Sequence, residues 1–203
     1  MRIRYYALWL SAVCIAVFIL QVLFSGFTDL FVLEQASYME IWRFLTAIFL
    51  HGSLGHLVAN LFALALFGTI LESLIGSGRF IKIFFLSGII ANIIAVNFYP
   101  SSLGASGAIY GVLGALIIIR PMMTVWVYSL PMPIFVAGAL WVGNDIIGLF
   151  VPSNVGNIAH LSGITIGFIF GLFYRSWVEK IERHDKVKLH EENMRRWEEV
   201  YLR

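Results

Sequence analysis

Apolar residues fall in six long blocks, near residues 5–24, 49–71, 80–98, 106–120, 131–150 and 158–177. None of the blocks alternates with a period of two. A helix needs about 20 apolar residues to cross a hydrocarbon core of ~30 Å, so each block is predicted as a membrane-spanning helix. The fifth is opened by Pro131 and Pro133 and interrupted by Asn144 and Asp145. The fourth is short: at about 1.5 Å per residue it covers roughly 22 Å. With Arg120 holding one end at the membrane surface, its other end, at Ser106, falls below the opposite surface. Irregular backbone at that depth must be buried in protein or line a water-filled recess.

Residues 25–48 form a long connection that is neither polar nor rich in Gly and Pro. Tyr38, Met39, Ile41, Trp42, Phe44 and Leu45 predict a helical piece lying in the membrane interface, where Trp and Tyr are favoured. Residues 179–203 hold seven Lys/Arg and seven Asp/Glu, with Met194, Trp197 and Tyr201 at helical spacing. This tail is expected to be a solvated amphipathic helix beside the membrane. The chain therefore divides into a membrane domain, residues 1–178, and a charged tail, residues 179–203.

Composition sharpens the class. The chain is 60% hydrophobic and 13% charged, against about a quarter charged in soluble domains. It reads as an all-α polytopic membrane protein with six spans and an interfacial first loop. No basic patch points to nucleic acid. The lone Cys14 lies inside an apolar run, so no disulfide framework exists. Arg2 and Arg4 precede an apolar run longer than a signal-peptide core, with no small-residue cleavage site after it; the run is expected to be a retained first span. With six spans, Arg2, Arg4, Arg79, Lys82, Arg120, Arg175 and Lys180 share one side. Arg43, Asp29, Glu34 and Glu40 lie on the other. The Lys/Arg bias predicts that both termini are cytoplasmic.

That topology gathers polar residues at one depth. His51, His56 and Asn60 begin the second span, Ser106 the fourth, and Asn157 and His160 the sixth. All three helices start on the outer side, and polar side chains within spans face a bundle interior or cavity. His56 and Asn60 are four apart and share a helix face. His160, Gly163, Gly167 and Gly171 form one stripe, and Gly107 and Gly111 repeat the spacing in the fourth span. Gly-x-x-x-Gly stripes let helices approach closely, which carries Ser106 towards His160. A serine nucleophile needs a base within hydrogen-bond reach and donors aimed at the developing oxyanion. The amide at the start of the fourth span is one such donor, and His56 and Asn60 are candidates for others. The base must be neutral, and histidine's ordinary pKa is ~6.5, so activity is expected to fall in acid. A metal on His51, His56 and His160 lacks a His-Glu-x-x-His pair and a carboxylate at that depth on these helices. No metal or cofactor is expected. Asp145 is expected to be a hydrogen-bonded structural carboxylate near the outer interface, the alternative being a part of the gate.

Four segments together resemble the rhomboid intramembrane serine proteases. Trp42-Arg43 resembles the family's Trp-Arg pair, and His56-Leu-Val-Ala-Asn60 its His-x-x-x-Asn segment. Gly104-Ala105-Ser106-Gly107, followed by Tyr110, resembles the nucleophile motif. Ala159-His160-Leu-Ser-Gly163-Ile-Thr-Ile-Gly167 resembles the last-helix motif. The resemblance runs from about Glu40 to Tyr174 and departs at Ile158, where many relatives have glycine. It implies a minimal six-helix form in which Ser106 is the nucleophile and His160 its base, a dyad without a carboxylate. His56, Asn60 and the Ser106 amide would be oxyanion donors, and Tyr110 would pack on the His160 ring. Trp42 and Arg43 would stabilise the first loop. The fifth span and the loop before Asn157 would form a mobile wall. Substrates would be transmembrane segments of other proteins, in contact with membrane lipid. The setting implied is a prokaryotic inner or plasma membrane, with the active site towards the outer side. Two other readings remain at this point. One is an inactive rhomboid-like protein that binds membrane clients, which the presence of both Ser106 and His160 opposes. The other is a small channel using His56 and His160 as a proton relay, which the lack of an inverted repeat weakens.

Overall fold

The computed structural model describes residues 3–127, 129–151 and 155–201, and Arg2 lies outside them. Six apolar helices form the bundle. The first is α1 (Tyr6–Leu23), followed in the first loop by two short helices, α2 (Phe27–Phe31) and α3 (Arg43–Thr46). The second span, Leu54–Ile75, is continuous but changes pitch: α4 (Leu54–Ala63), a π-helical turn at Leu64–Gly68, then α5 (Thr69–Ile75). The remaining spans are α6 (Ser77–Ala95), α7 (Ser106–Ile119), α8 (Ile134–Gly148) and α9 (Asn157–Tyr201). Four of the six are long and apolar enough to cross a membrane. α7, with 14 residues, and α8, with 15, are shorter. Large apolar side chains such as Trp9, Val22, Phe62 and Phe173 face outward, where lipid would cover them.

Several boundaries differ from the sequence expectation, each for a local reason. The second span begins at Leu54 rather than near residue 49, because the Ser53 hydroxyl accepts the His56 amide and caps the helix there. His51 therefore sits in the connection before the helix. The third span begins at Ser77, directly after Gly76, whose φ of 83° ends α5. The fifth begins at Ile134, because its two prolines belong to a hairpin: β3 (Thr124–Val127) pairs antiparallel with β4 (Leu130–Pro133), placing Pro131 opposite Trp126. Proline has no N–H to give a helix interior but is tolerated on an edge strand. The sixth does not stop near residue 177, since α9 continues to Tyr201. The side chain of Tyr201 lies outside the described set.

The first loop is several short pieces rather than one interfacial helix. β1 (Leu33–Glu34) pairs with β2 (Ser101–Ser102), tying this loop to the segment before Ser106. Arg43 organises it. Its Nη1 donates to the carbonyls of Asp29 and Val32 at 2.6 and 2.7 Å, and its Nε to Glu40 at 2.9 Å. Those carbonyls lie at the end of α2, where helical acceptors are otherwise left over. Met39, Ile41 and Trp42 project outward, as an interfacial loop requires.

The centre of the bundle is the contact of α7 with α9. A Cβ on Gly163 would lie 2.0 Å from the Gly107 carbonyl oxygen, and one on Gly167 2.1 Å from that of Gly111. Backbone meets backbone at both levels, so only glycine fits. On the third side of α7, Gly111 packs on α6, where an added Cβ would meet Ser87 Oγ. At the opposite end of the bundle from Ser106, the buried carboxylate of Glu72 caps α1. It accepts the amides of Tyr6 and Ala7 at 3.0 Å each and the Ser77 hydroxyl.

Candidate active site

Ser106 is the first residue of α7 and His160 the fourth of α9. With the two helices in glycine contact one turn further in, the side chains meet: Ser106 Oγ is 2.9 Å from His160 Nε2. The approach to Ser106 is fixed by Gly104, whose φ of 123° suits only glycine. Its amide donates to the Ala47 carbonyl at 2.8 Å, and a Cβ there would strike the His56 ring at 2.7 Å. The edge of the His56 ring thus lies against the segment leading to the serine. Tyr110, one turn along α7, stacks on His160 with ring centroids 4.2 Å apart and planes 10° from parallel. The start of α9 is held by the Tyr99 hydroxyl, which accepts the Ile158 amide.

These groups open into one cavity of about 1140 Å³ that reaches past Asn60 and Phe67 towards Trp141 and Trp126. Asn60 is buried, and its Nδ2 has no hydrogen-bond partner among the described residues. A donor left unused beside a cavity is available to something that enters it. His51 does not join the group directly: its Nδ1 contacts the Phe49 carbonyl at 3.2 Å and its ring stands edge-on to His56. It supports the His56 ring from behind. Phe67, in the π turn, meets Trp141 of α8 edge to face, with centroids 6.0 Å apart. Residues 152–154, in the loop before Asn157, lie outside the described set.

One expectation is corrected. The Ser106–His160 pair does have a carboxylate: Asp145 Oδ1 is 2.9 Å from His160 Nδ1. Asp145 lies three residues from the end of α8, and α9 starts after a short connection, so both occupy the same end of the bundle. The depth argument that collected Ser106, His56 and His160 applied equally to Asp145. What it lacked was the rotation of α8 about its axis. Among the described residues, no group of three or more His, Cys, Asp or Glu has metal-holding geometry.

Residues 38–177 match the family model described as Rhomboid domain. The chain is 39% identical over 132 residues to Rhomboid protease GluP of Bacillus subtilis, covering 64% of this chain and 25% of that one. It is 31% identical over 138 residues to RHOMBOID-like protein 1 of Arabidopsis thaliana, covering 66% and 35%. With Rhomboid protease GlpG of Haemophilus influenzae it shares 28% identity over 170 residues, covering 80% and 86%. It thus spans a minor part of the first two relatives and most of the third. A family match over more than half the chain, on a bundle of six apolar helices, leads to one conclusion: this integral membrane protein belongs to the rhomboid family.

Proposed function

We propose that the protein is an intramembrane serine endopeptidase that cuts transmembrane segments of other membrane proteins, with Ser106 as nucleophile and His160 as its base. The observation that carries this reading is the 2.9 Å contact of Ser106 Oγ with His160 Nε2 at the mouth of a cavity inside an apolar bundle. A serine merely packing a helix interface needs neither the histidine nor the cavity. The relatives named as rhomboid proteases support the same class.

Each step uses a group already described. Ser106 Oγ attacks the scissile carbonyl carbon while its proton passes to His160 Nε2. The carbonyl electron pair moves onto oxygen, and the resulting oxyanion is met by the Ser106 amide, His56 and Asn60. As the C–N bond breaks, His160 returns the proton to the leaving amine. Water, activated by the same histidine, then releases the acyl group from Ser106. Tyr110 keeps the imidazole plane fixed throughout. A substrate helix must first unwind, since its carbonyls are bonded internally. Unwinding exposes backbone polar groups, which is tolerable only where water or protein can satisfy them. The cavity between α4 and α8, bounded by Phe67 and Trp141, is where such a segment would enter. The Lys/Arg distribution supports cytoplasmic termini and an active site towards the outer side of the membrane, and the likeness to bacterial rhomboid proteases supports a prokaryotic inner or plasma membrane as the setting. Residues 179–203 would then be a cytoplasmic extension of the membrane domain.

The test is labelling with a fluorescent serine-directed phosphonate, beside cleavage of a model transmembrane substrate, for wild type, Ser106→Ala and His160→Ala. Labelling and cleavage should be present in wild type and lost in both variants. A folded wild type that neither labels nor cuts would replace this reading with client binding, and cleavage surviving in Ser106→Ala would remove Ser106 from the chemistry.

A further inference from the structure

Among the described residues, two carboxylate side chains are buried, Glu72 and Asp145, each 1% exposed. They are solvated by the protein very differently. Glu72 uses both oxygens: Oε1 accepts the Tyr6 amide and the Ser77 hydroxyl, and Oε2 the Ala7 amide. That is what a structural carboxylate looks like, because burying a charge is costly unless hydrogen bonds replace water. Asp145 has Oδ1 against His160 Nδ1 at 2.9 Å, while Oδ2 has no hydrogen-bond partner among the described residues. As a device for joining helices it is poorly made. Its geometric hydrogen-bond partner is the ring proposed to act as base, and the Tyr110 side chain, which stacks on that same ring, is its other polar neighbour.

The ring needs what Asp145 supplies. Tyr110 stacks face to face on His160 and so fixes the plane of the imidazole. Stacking is blind to a half-turn of the ring about its Cβ–Cγ bond, which keeps the plane but would exchange Nδ1 with Cδ2 and carry Nε2 away from Ser106. It is blind also to which nitrogen bears the proton. A carboxylate can only accept, so it selects the flip and the tautomer together: N–H at Nδ1, lone pair at Nε2.

We propose that Asp145 is a positioning residue for His160, making the site a Ser106–His160–Asp145 relay on three helices, α7, α9 and α8. Asp145 keeps Nε2 bare and aimed at Ser106 Oγ, and it stands as counter-charge when Nε2 takes the serine proton and the ring becomes imidazolium. The proton that Nε2 takes leaves again from Nε2 to the departing amine, and none passes to Asp145. The inference rests on the Ser106–His160 reading and adds to it a dependence on α8. That helix is buried only at Ile134, Ala137, Gly138 and Asp145, one stripe along its length. Movement of the helix beside the cavity would therefore disturb the base as well as the opening.

The experiment uses the full-length protein in proteoliposomes, with Asp145→Asn, Asp145→Glu, Ser106→Ala and His160→Ala compared for kcat, KM and thermal unfolding. Asparagine keeps the shape but can offer Nδ1 an N–H, favouring the wrong tautomer. Asp145→Asn is expected to lower kcat by about 10²- to 10⁴-fold, with KM within about threefold of wild type. Asp145→Glu is expected to recover at least about tenfold of that loss. In parallel, ¹⁵N-histidine NMR of the wild type, with His160 assigned by its loss in His160→Ala, should show the proton on Nδ1 and a bare Nε2. A folded Asp145→Asn with wild-type kcat would overturn the proposal. So would a His160 protonated at Nε2, and that result decides the matter even if no Asp145 variant folds. Cleavage persisting in Ser106→Ala or His160→Ala would instead overturn the underlying Ser–His reading, leaving the two failures distinguishable.

Discussion

Replacing Gly163 by alanine tests whether the contact of α7 with α9 sets the catalytic geometry. The added Cβ would lie 2.0 Å from Gly107 O, 2.9 Å from its carbonyl carbon and 3.3 Å from its Cα. All three are backbone atoms, so no side chain can rotate away. Ordinary contact begins at 3.4 Å, so the helices must part by about 1.4 Å along this direction. His160 lies one turn back on α9 and Ser106 is next to Gly107, so the displacement falls on the reacting pair. Their 2.9 Å contact would open to roughly 4 Å, outside hydrogen-bond range. A misplacement of this size costs about 10²-fold or more in rate, while overpacking costs about 1–3 kcal/mol of stability. The assay is kcat for a transmembrane substrate, normalised to the folded fraction from a tryptophan-fluorescence thermal ramp. Gly78→Ala is the control, because its Cβ would meet nothing within 4 Å. Gly163→Ala should be folded, less stable and at least about 10²-fold slower, with Gly78→Ala like wild type. A folded Gly163→Ala within about threefold of wild-type kcat would refute the claim that this spacing holds the site together.

Two further outcomes are expected. Asn60→Ala should lower kcat by about 10²–10³-fold with little change in KM, and should not lower the melting temperature, because Nδ2 has no hydrogen-bond partner among the described residues to lose; a full kcat would remove Asn60 from the oxyanion donors. Arg43→Ala strands the Asp29 and Val32 carbonyls and the Glu40 carboxylate, and should cost about 2–3 kcal/mol in denaturant or thermal unfolding; an unchanged unfolding midpoint would contradict its role as organiser of the first loop.

The sequence by itself determined the class, the number of apolar helices and the end of the bundle where the polar groups collect. These follow from the length of each apolar block and from the alternation of direction between successive spans. It also determined that α7 and α9 touch, because glycines at intervals of four mark the one face of each helix where backbone can approach backbone. Ser106, His56 and His160 were legible because they begin helices, where depth is known from chain order alone. What it left open is rotation and the shape of the connections. In a lipid-facing helix every side is apolar, so no hydrophobic face declares which way Asp145 points. Only the packing of Ile134, Ala137 and Gly138 turns it towards His160. The proline-bearing hairpin, the pairing of Leu33–Glu34 with Ser101–Ser102, and the cap that Glu72 puts on α1 are contacts between residues far apart in the chain. Local pattern carries no record of them. The tertiary structure decided these, and with them whether His160 is served by two partners or by three.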